Sequence, residues 1–480
     1  MSAPARDVPR ARVGPRGLGA LVLLLAGCTV GPNYTRPGAA VPDAYRGTTA
    51  GDATTGGATA LGEQKWWEVF QDEQLRQLIA TALQQNWDVR VAAARVLQAQ
   101  AQLGVTRADQ FPSLTGGAQV QRQRVAQAPV APGVSFPSFE TNLFETSLSL
   151  AWELDFWGRF RRATEAARAS LLASEWGRQA VLTTLVADVA GAYFQLRELD
   201  LELEISERTL RSRRESLDLV KSQEEHGAAS MLDVRQSEEL VFTAAAAIPD
   251  LERRIEQQEN FVNILLGQNP SPVPRGRPVT AQPHPPVVPA GLPASLLERR
   301  PDIRQAEQRL VAANARIGVA KAAYFPQITL TGVGGFQSSE LGSLFSGPAG
   351  MWTVAAGLTE PVFDAGRIRS TVRLAEAQQQ EALLVYQQTI QQAFREVADE
   401  LVAYRKTREF RLQQELLTQS AQDAARLSES RYQGGATTYL EVLDSNTRYF
   451  SAELSLAQAQ LGELEALVQL YRALGGGWQL

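Results

Sequence analysis

The chain has 480 residues, of which 44% are hydrophobic and 21% are charged, so its composition excludes a disordered protein. Its formal net charge is -5, and no run of Lys or Arg forms a binding stripe, which argues against a nucleic-acid partner. The length allows two or three ordinary domains or one long repetitive architecture.

The N-terminal segment has the pattern of a bacterial export signal. Four arginines precede an apolar run at residues 18–26, which is too short to span a bilayer as a stable helix. The run leads into Leu-Ala-Gly-Cys at residues 25–28, which resembles a lipobox, and Cys28 is the only cysteine of the chain. We therefore expect cleavage before Cys28 and a covalent lipid on its thiol. The alternative is an ordinary signal peptide with a chance cysteine. Thr29, at the following position, resembles the address of an outer-membrane lipoprotein.

The chain repeats itself. Asp88-Val89-Arg90 returns 214 residues later as Asp302-Ile303-Arg304, and Gly158-Arg159 returns 208 residues later as Gly366-Arg367. The offset of 208 then persists to the end of the second copy. The six-residue difference falls in one loop, around residues 126–138, where the first copy is longer. A duplicated architecture is therefore predicted.

Each copy is predicted to contain a helix, two strands and two long helices. In the first helix, Ala92, Val96, Ala99, Leu103 and Thr106 recur at spacings of 4, 3, 4 and 3, which suits left-handed helix pairing. Residues from about 159 to 222 and from about 367 to 430 read as helices of roughly 60 residues, which would approach ~90 Å in length. Few enzymes need such helices, whereas a tube that crosses the periplasm or a coiled-coil scaffold does.

The strands follow a period of two residues. Apolar side chains at 144, 148, 150, 152 and 154 alternate with polar or small ones, and strands of ~9–11 residues suit a transmembrane β-sheet. The alternative is a soluble antiparallel sheet with one buried face. Four strands cannot close a barrel, and an open edge cannot lie in lipid, so strands in the membrane would require several chains.

These patterns divide the chain into six parts. Residues 1–27 form a lipoprotein signal peptide, residues 28–65 an extended segment, and residues 66–267 the first repeat, with a β-hairpin at about 113–155. Residues 268–300 form a Pro-rich linker or equatorial region. Residues 301–475 form the second repeat, with a β-hairpin at about 327–361, and residues 476–480 form a tail. The predicted fold class is mainly α with a small β part.

Four motifs, in chain order, resemble a single protein family. They are Cys-Thr-Val-Gly-Pro-Asn-Tyr at 28–34, Leu-Glu-Arg-Arg-Pro-Asp-Ile-Arg-Gln-Ala-Glu at 297–307, Tyr-Gln-Gly-Gly at 432–435 with Tyr-Leu-Glu-Val-Leu-Asp at 439–444, and Leu-Tyr-Arg-Ala-Leu-Gly-Gly-Gly-Trp at 470–478. Over nearly the whole mature chain, the sequence resembles the outer-membrane factors of tripartite RND efflux systems, which are TolC/OprM-like channels of the NodT lipoprotein type.

The resemblance implies a homotrimer in which four transmembrane β-strands per chain contribute to one shared β-barrel, joined to a long α-helical barrel. It implies a lipid-anchored protein of the bacterial outer membrane that extends into the periplasm. Its implied partners are the lipid bilayer, a periplasmic adaptor (membrane fusion) protein and an inner-membrane RND-type pump. The implied function is a passive exit duct for drugs or other small toxic compounds, with no cofactor beyond the lipid on Cys28.

The resemblance also implies a gate where the long helices turn, near residues 224–231 and 431–439. The matched positions are Asp233, Tyr432, Glu441 and Asp444. In the family an acid at the first position bonds the tip tyrosine, so Asp233 is expected to bond Tyr432.

Glu441 and Asp444 lie one helical turn apart, so their carboxylates share a face, and three-fold symmetry would gather six acids in a negative ring. A solvated helix face is the alternative. The family's basic residue between Gly435 and Glu441 is missing, and Thr437 stands there instead. Because of this departure, we expect the charged contact of the family's gate to be missing here.

The sequence contains no constellation of catalytic residues. His226 and His284 are its only histidines, neither has metal-ligand spacing, and no phosphate-binding loop or nucleophile elbow is present. We therefore expect no enzymatic activity and no metal. Two other functions stay open at this point, namely a non-conducting structural coiled-coil lipoprotein and a type I protein-secretion channel.

Overall fold

The computed structural model describes residues 29–46, 61–126, 128–131, 134–283, 291 and 293–478. The predicted signal peptide, Cys28 and His284 lie outside the described residues. The described chain is mainly helical with a small antiparallel sheet, which confirms the predicted fold class. None of the helices within these residues is long and apolar enough to cross a membrane.

The same order of elements occurs twice. The first half contains helices α1 (Trp66–Val69), α2 (Glu73–Gln85) and α3 (Trp87–Ala108), strands β1 (Ser113–Val125), β2 (Ala128–Ala131), β3 (Val134–Phe136) and β4 (Phe139–Leu154), and helices α4 (Arg159–Glu225) and α5 (Met231–Leu266). The second half contains helices α6 (Pro293–Arg299) and α7 (Pro301–Ala322), strands β5 (Gln327–Ser338) and β6 (Gly350–Thr359), and helices α8 (Arg367–Gln433) and α9 (Tyr439–Ala473). Helices α4 and α8 have 67 residues each, so each is about 100 Å long.

One compact unit contains the sheet. It comprises residues Met1–Pro37, Gln98–Leu172 and Gln308–Leu384, as far as these are described. Its four main strands are antiparallel in the order β1-β4-β5-β6, and among the described strands β1 and β6 each have a single neighbour. The longer segment of the first copy, expected as a loop, instead contains the two-stranded ribbon β2–β3.

The register of the sheet places apolar residues on a common face. Leu150 lies opposite Leu114 on β1, and Phe144 lies opposite Val120. Because directly opposed residues of an antiparallel pair point to the same side, these rows extend the alternation predicted for β4 across its neighbours. The opposite face carries a polar row in which Glu145 lies between Gln119 and Gln337.

The second compact unit is helical. It comprises residues Gly38–Leu97, Ala173–Glu307 and Val385–Leu480, as far as these are described. The Pro-rich segment after α5 is held to it by the buried carboxylate of Asp72, which caps α2 by accepting from the amides of Gln74 and Leu75. The same carboxylate accepts from the Arg277 amide at 2.8 Å and from Nε2 of Gln282 at 2.9 Å.

A hydrophobic cluster packs α4, α5 and α9 together within this helical unit. Its buried members are Leu210, Leu217, Val220, Val234, Val241, Ala244, Tyr439, Val442 and Leu443. The cluster lies beside the two turns that connect the long helices, and Tyr432 packs against it. The turns therefore rest on a core that is made of side chains from both repeats.

Candidate functional site at the two helical turns

The two turns close in the same way. Gly227 and Gly435, which are equivalent in the duplication, both have positive φ, at 76° and 68°. This backbone conformation costs a residue with a Cβ more than it costs glycine, and it ends α4 and α8. In each turn a backbone amide donates to a carbonyl in the last turn of the preceding helix. The Ala228 amide donates to the Gln223 carbonyl at 2.7 Å, and the Ala436 amide donates to the Arg431 carbonyl at 2.8 Å.

Asp233 lies in the first turn of α5, where its side chain caps the start of the helix. Its carboxylate accepts a hydrogen bond from the Ser230 amide at 2.8 Å, and the Ser230 hydroxyl accepts one from the Asp233 amide at 3.2 Å. This reciprocal capping box satisfies amides that the first helical turn leaves without partners. The side chain of Asp233 is therefore held at its own helix end.

Tyr432 joins the two turns through a different partner from the one expected. Its hydroxyl donates to Oε1 of Gln223 at 2.8 Å, and no hydrogen bond between Tyr432 and Asp233 occurs in the described part of the chain. The expectation that Asp233 bonds Tyr432 is therefore wrong for this structure, because the capping box engages that carboxylate. Burial, with the nearby charge of Asp233, raises the pKa of Tyr432, so the phenol keeps its proton and remains a donor at neutral pH.

A second tyrosine ties the turns to α5. The hydroxyl of Tyr439 lies 3.1 Å from the hydroxyl of Ser237, and both side chains are buried. The rings of Tyr432 and Tyr439 are tilted against each other at a centroid distance of 5.2 Å. Burial raises the pKa of Tyr439 as well. The two phenols thus act as neutral hydrogen-bonding groups on the hydrophobic cluster.

Glu441 has a basic partner, although Thr437 replaces the basic residue expected there. Nη1 of Arg431, from the end of α8, lies 2.9 Å from Oε1 of Glu441, and the Thr437 hydroxyl bonds the other carboxylate oxygen. The expectation that the charged contact is missing is therefore corrected: the chain folds back through the turn and supplies the cation from the preceding helix.

Asp444 is also paired. Its Oδ2 lies 2.9 Å from Nε of Arg448, one helical turn further along α9. Glu441 and Asp444 therefore each have an arginine of the same chain beside them, and the four charges cancel. The negative ring stays a prediction, which these two arginines make weaker.

The residues of this site that were not predicted as gate residues from the sequence include Gln223, Ser237, Arg431, Tyr439 and Arg448. The i,i+4 spacing of Asp444 and Arg448 is a signal that could have revealed the second ion pair. Gln223 and Arg431 occupy equivalent positions in the duplication, offset by 208 residues, and both reach across a turn. The partners of Gln223 and Arg431 depend on how the turns fold back, and the spacing of residues along the chain does not reveal this.

The N-terminal segment is fastened within the unit that contains the sheet. The buried guanidinium of Arg162 donates to the carbonyl of Val30 at 3.3 Å, to that of Gly31 at 3.3 Å and to Oδ1 of Asn33 at 2.7 Å. Gly31 lies so close to the α7 backbone that a Cβ would come within 2.5 Å of the Cα of Gly318. This strap, residues 29–33, follows directly after Cys28, whose lipidation stays a prediction.

Comparison with known proteins gives the family. The sequence profile of the outer membrane efflux protein family matches residues 78–268 and 292–476. The chain belongs to this family. The two matched segments correspond to the two repeats and confirm the internal duplication. Members of the outer membrane efflux protein family are outer-membrane channels, which confirms the predicted main function and the outer-membrane location.

Relatives and solved structures of the family cover almost the whole chain. The solvent efflux pump outer membrane protein SrpC of Pseudomonas putida is 39% identical over 469 residues, which cover 96% of this chain and 97% of that protein. The cation efflux system protein CusC of Escherichia coli is 35% identical over 460 residues, which cover 96% and 98%. The open state of the MtrE outer membrane channel of Neisseria gonorrhoeae has 32% identity and a TM-score of 0.84, and covers 94% and 99%. These relatives are efflux proteins, which favours a channel over a coiled-coil scaffold.

Proposed function

We propose that the chain is one subunit of a homotrimeric outer-membrane exit duct, which works with a periplasmic adaptor and an inner-membrane pump and is gated at its two helical turns. The observation that carries the gate is a set of side-chain bonds at the turns. Tyr432 to Gln223 joins the two turns, Tyr439 to Ser237 ties the second turn to α5, and Glu441 to Arg431 closes the second turn. The duct itself performs no chemistry, and the pump supplies the energy.

The free edges of the sheet support the assembly. Strands β1 and β6 each leave one row of backbone amides and carbonyls without a neighbour in the described chain. Such groups cannot be left without hydrogen bonds in a membrane. Copies of the same sheet joined edge to edge would satisfy them, and the common apolar face would then contact lipid.

The energies of the contacts suit a reversible gate. A neutral hydrogen bond contributes ~1 kcal/mol, and an ion pair as exposed as Arg431–Glu441 contributes ~0–1 kcal/mol. The three side-chain bonds of each subunit therefore contribute only a few kcal/mol in total, in addition to the hydrophobic cluster. An adaptor that binds the open arrangement more tightly could release them.

Two exposed leucines support docking of the adaptor at the turns. Leu232 is 64% exposed and Leu440 is 63% exposed, and the two are equivalent in the duplication. Exposed apolar side chains that adjoin one another mark protein–protein contacts, whereas single ones are common on protein surfaces. The adjacent Met231 is exposed as well, so the turn of the first repeat presents a small apolar surface.

The strap supports a fixed anchor. Because Arg162 and the close packing at Gly318 hold residues 29–33, a lipid on Cys28 would be joined to a chain segment that is itself fixed. Relatives are named for the efflux of antibiotics, of solvents (SrpC) and of cations (CusC), and small toxic compounds of these kinds are the proposed cargo.

The test is ion conductance of the purified full-length oligomer in a planar bilayer. The wild type is expected to conduct weakly, and the double variant Tyr432→Phe with Arg431→Ala strongly. A folded oligomer that never conducts, even as the double variant, would overturn the channel and its gate. Deleting the gene and profiling the potency of drugs, solvents and metal ions then identifies the cargo, and restored resistance from the plasmid-borne gene is the control.

A further inference from the structure

Two glutamates are buried side by side on α4, well away from the turns. Glu198 and Glu202 are one helical turn apart, and only 3% and 4% of their surfaces are exposed. Acids are almost never buried this deeply unless they are paired. Two neighbouring carboxylates in a desolvated site cannot both ionise without a large free-energy cost, so this pair calls for a specific explanation.

Glu202 has the partners of an ionised carboxylate. Its Oε2 lies 3.3 Å from Nη1 of Arg254 on α5, and its Oε1 accepts from Nε2 of Gln458 on α9 at 3.0 Å. One side chain of α4 therefore contacts both neighbouring helices. Arg254 is the cation that compensates its charge.

Glu198 has a different environment. The charged groups that act on it are Glu202 on the same helix, Arg254 on α5 and Glu465 on α9, so two of the three are acids. The side chain of Glu198 lies on the same face of α4 as that of Glu202, and a hydrogen bond between two carboxyl groups needs a proton on one of them. Burial, and then the neighbouring Glu202 carboxyl group, raise the pKa of Glu198 to about 8. Burial also raises the pKa of Glu465.

We propose that Glu198 and Glu202 hold one proton between them, and that this shared proton is an alkali-sensitive fastening of α4 to α5 and α9. Glu198 carries the proton and donates it to Glu202, which also contacts Arg254 and Gln458. The fastening is a property of the folded chain, so it does not depend on the proposed gate or cargo.

The direction of the pH effect follows from the raised pKa. A group whose pKa is higher in the folded than in the unfolded chain contributes stability that is fully present below the unfolded pKa, near 4.5 for glutamate, and is lost as the pH rises through the folded pKa, about 8. Above that pH two adjacent carboxylates share one arginine, and their repulsion loosens the three-helix contact.

The test uses the purified full-length oligomer and the variant Glu198→Gln. The amide of glutamine can still donate to Glu202 but cannot ionise, so its thermal midpoint should stay nearly constant between about pH 6 and pH 9, while that of the wild type falls. The matched control is Glu239→Gln, which changes an exposed glutamate of α5 and should follow the wild-type profile. Parallel profiles for wild type and Glu198→Gln would overturn the proposal.

A second measurement does not depend on how the variant folds. Infrared spectra of wild-type oligomer with 13C-labelled glutamate should contain a protonated-carboxyl band at neutral pH that disappears with a midpoint of about pH 8. Glu198→Gln should lose the component that titrates at about pH 8, whereas Glu239→Gln should retain it. Absence of such a band from the wild type at neutral pH would overturn the proposal. Loss of conductance in every sample would count against the proposed channel and leave the infrared result unaffected.

Discussion

The phenol of Tyr432 lies 2.8 Å from the side-chain oxygen of Gln223, a residue 209 positions earlier in the chain. This bond links the end of α8 to the end of α4, and therefore one repeat to the other. Gln223 is the counterpart of Arg431 in the duplication, and Arg431 bonds Glu441 across its own turn. The two equivalent residues therefore differ in function, since Gln223 connects the two turns and Arg431 closes a single turn.

Tyr432→Phe should loosen the two turns with little effect on folding. The change removes one hydrogen bond of ~1 kcal/mol and leaves the ring packed against Tyr439. We expect several-fold more frequent channel opening in planar-bilayer recordings. Tyr449→Phe is the matched control, because its hydroxyl bonds Glu453 on the same helix. Equal opening frequencies for the two variants would contradict this assignment.

Arg431→Ala should make the pore more cation-selective than Arg448→Ala does. Removing Arg431 leaves Glu441 with Thr437 as its remaining contact, whereas removing Arg448 frees the more exposed Asp444, whose charge water screens better. Reversal potentials in a salt gradient measure this selectivity. Arg431→Lys should retain most of the wild-type value, and a selectivity unchanged by Arg431→Ala would show that Glu441 does not face the pore.

Asp233→Ala should act on the helix start and not on the bond between the turns. The capping box with Ser230 contributes ~1 kcal/mol, so amide hydrogen exchange in the first turn of α5 should become several-fold faster. Channel opening should stay closer to the wild type than that of Tyr432→Phe. The reverse order would indicate that Asp233 holds Tyr432 in the working oligomer.

Arg162→Met should release the N-terminal strap. The thioether fills a similar volume but cannot donate to the Val30 and Gly31 carbonyls or to Asn33. Limited proteolysis should then cut within residues 29–46 at least several-fold faster, while the remainder of the chain stays resistant. Arg168→Met changes an arginine further along α4 and serves as the control. Unchanged cleavage would show that packing at Gly318 alone holds the strap.

Asp72 should make the stability of the helical unit sensitive to acid. Although burial acts to raise it, hydrogen bonds from Gln282, the Leu75 and Arg277 amides and Tyr193 lower the pKa of this carboxyl. A lowered pKa contributes stability that is present above the unfolded value, about 3.8, and is lost as the pH falls through the folded value. Asp72→Asn should therefore flatten the acid limb of the thermal-midpoint profile, and an identical acid limb would refute the assignment.

Much of the fold follows from local patterns. The spacing of apolar residues changes from 3.5 to 2 wherever a helix gives way to a strand, because side chains on a helix and on a strand repeat with those periods. The offsets of 214 and then 208 residues between matching motifs reveal the duplication before any coordinates are considered. The sequence also indicates the positions of the turns, since Gly227 and Gly435 lie where the backbone adopts a left-handed conformation.

What the sequence determined by itself is therefore the family, the duplicated order of elements, the outer-membrane address and the places where the long helices turn. The tertiary structure decided which side chains meet there. Arg431 reaches Glu441 only because the turn reverses the chain, and Tyr432 meets Gln223 only because the two repeats pack together. The environment of Glu198 likewise depends on three helices at once. The local periodicity of the sequence predicts whether a segment is a helix or a strand. Which side chains bond each other, and which are buried, depends on contacts between residues far apart in the chain.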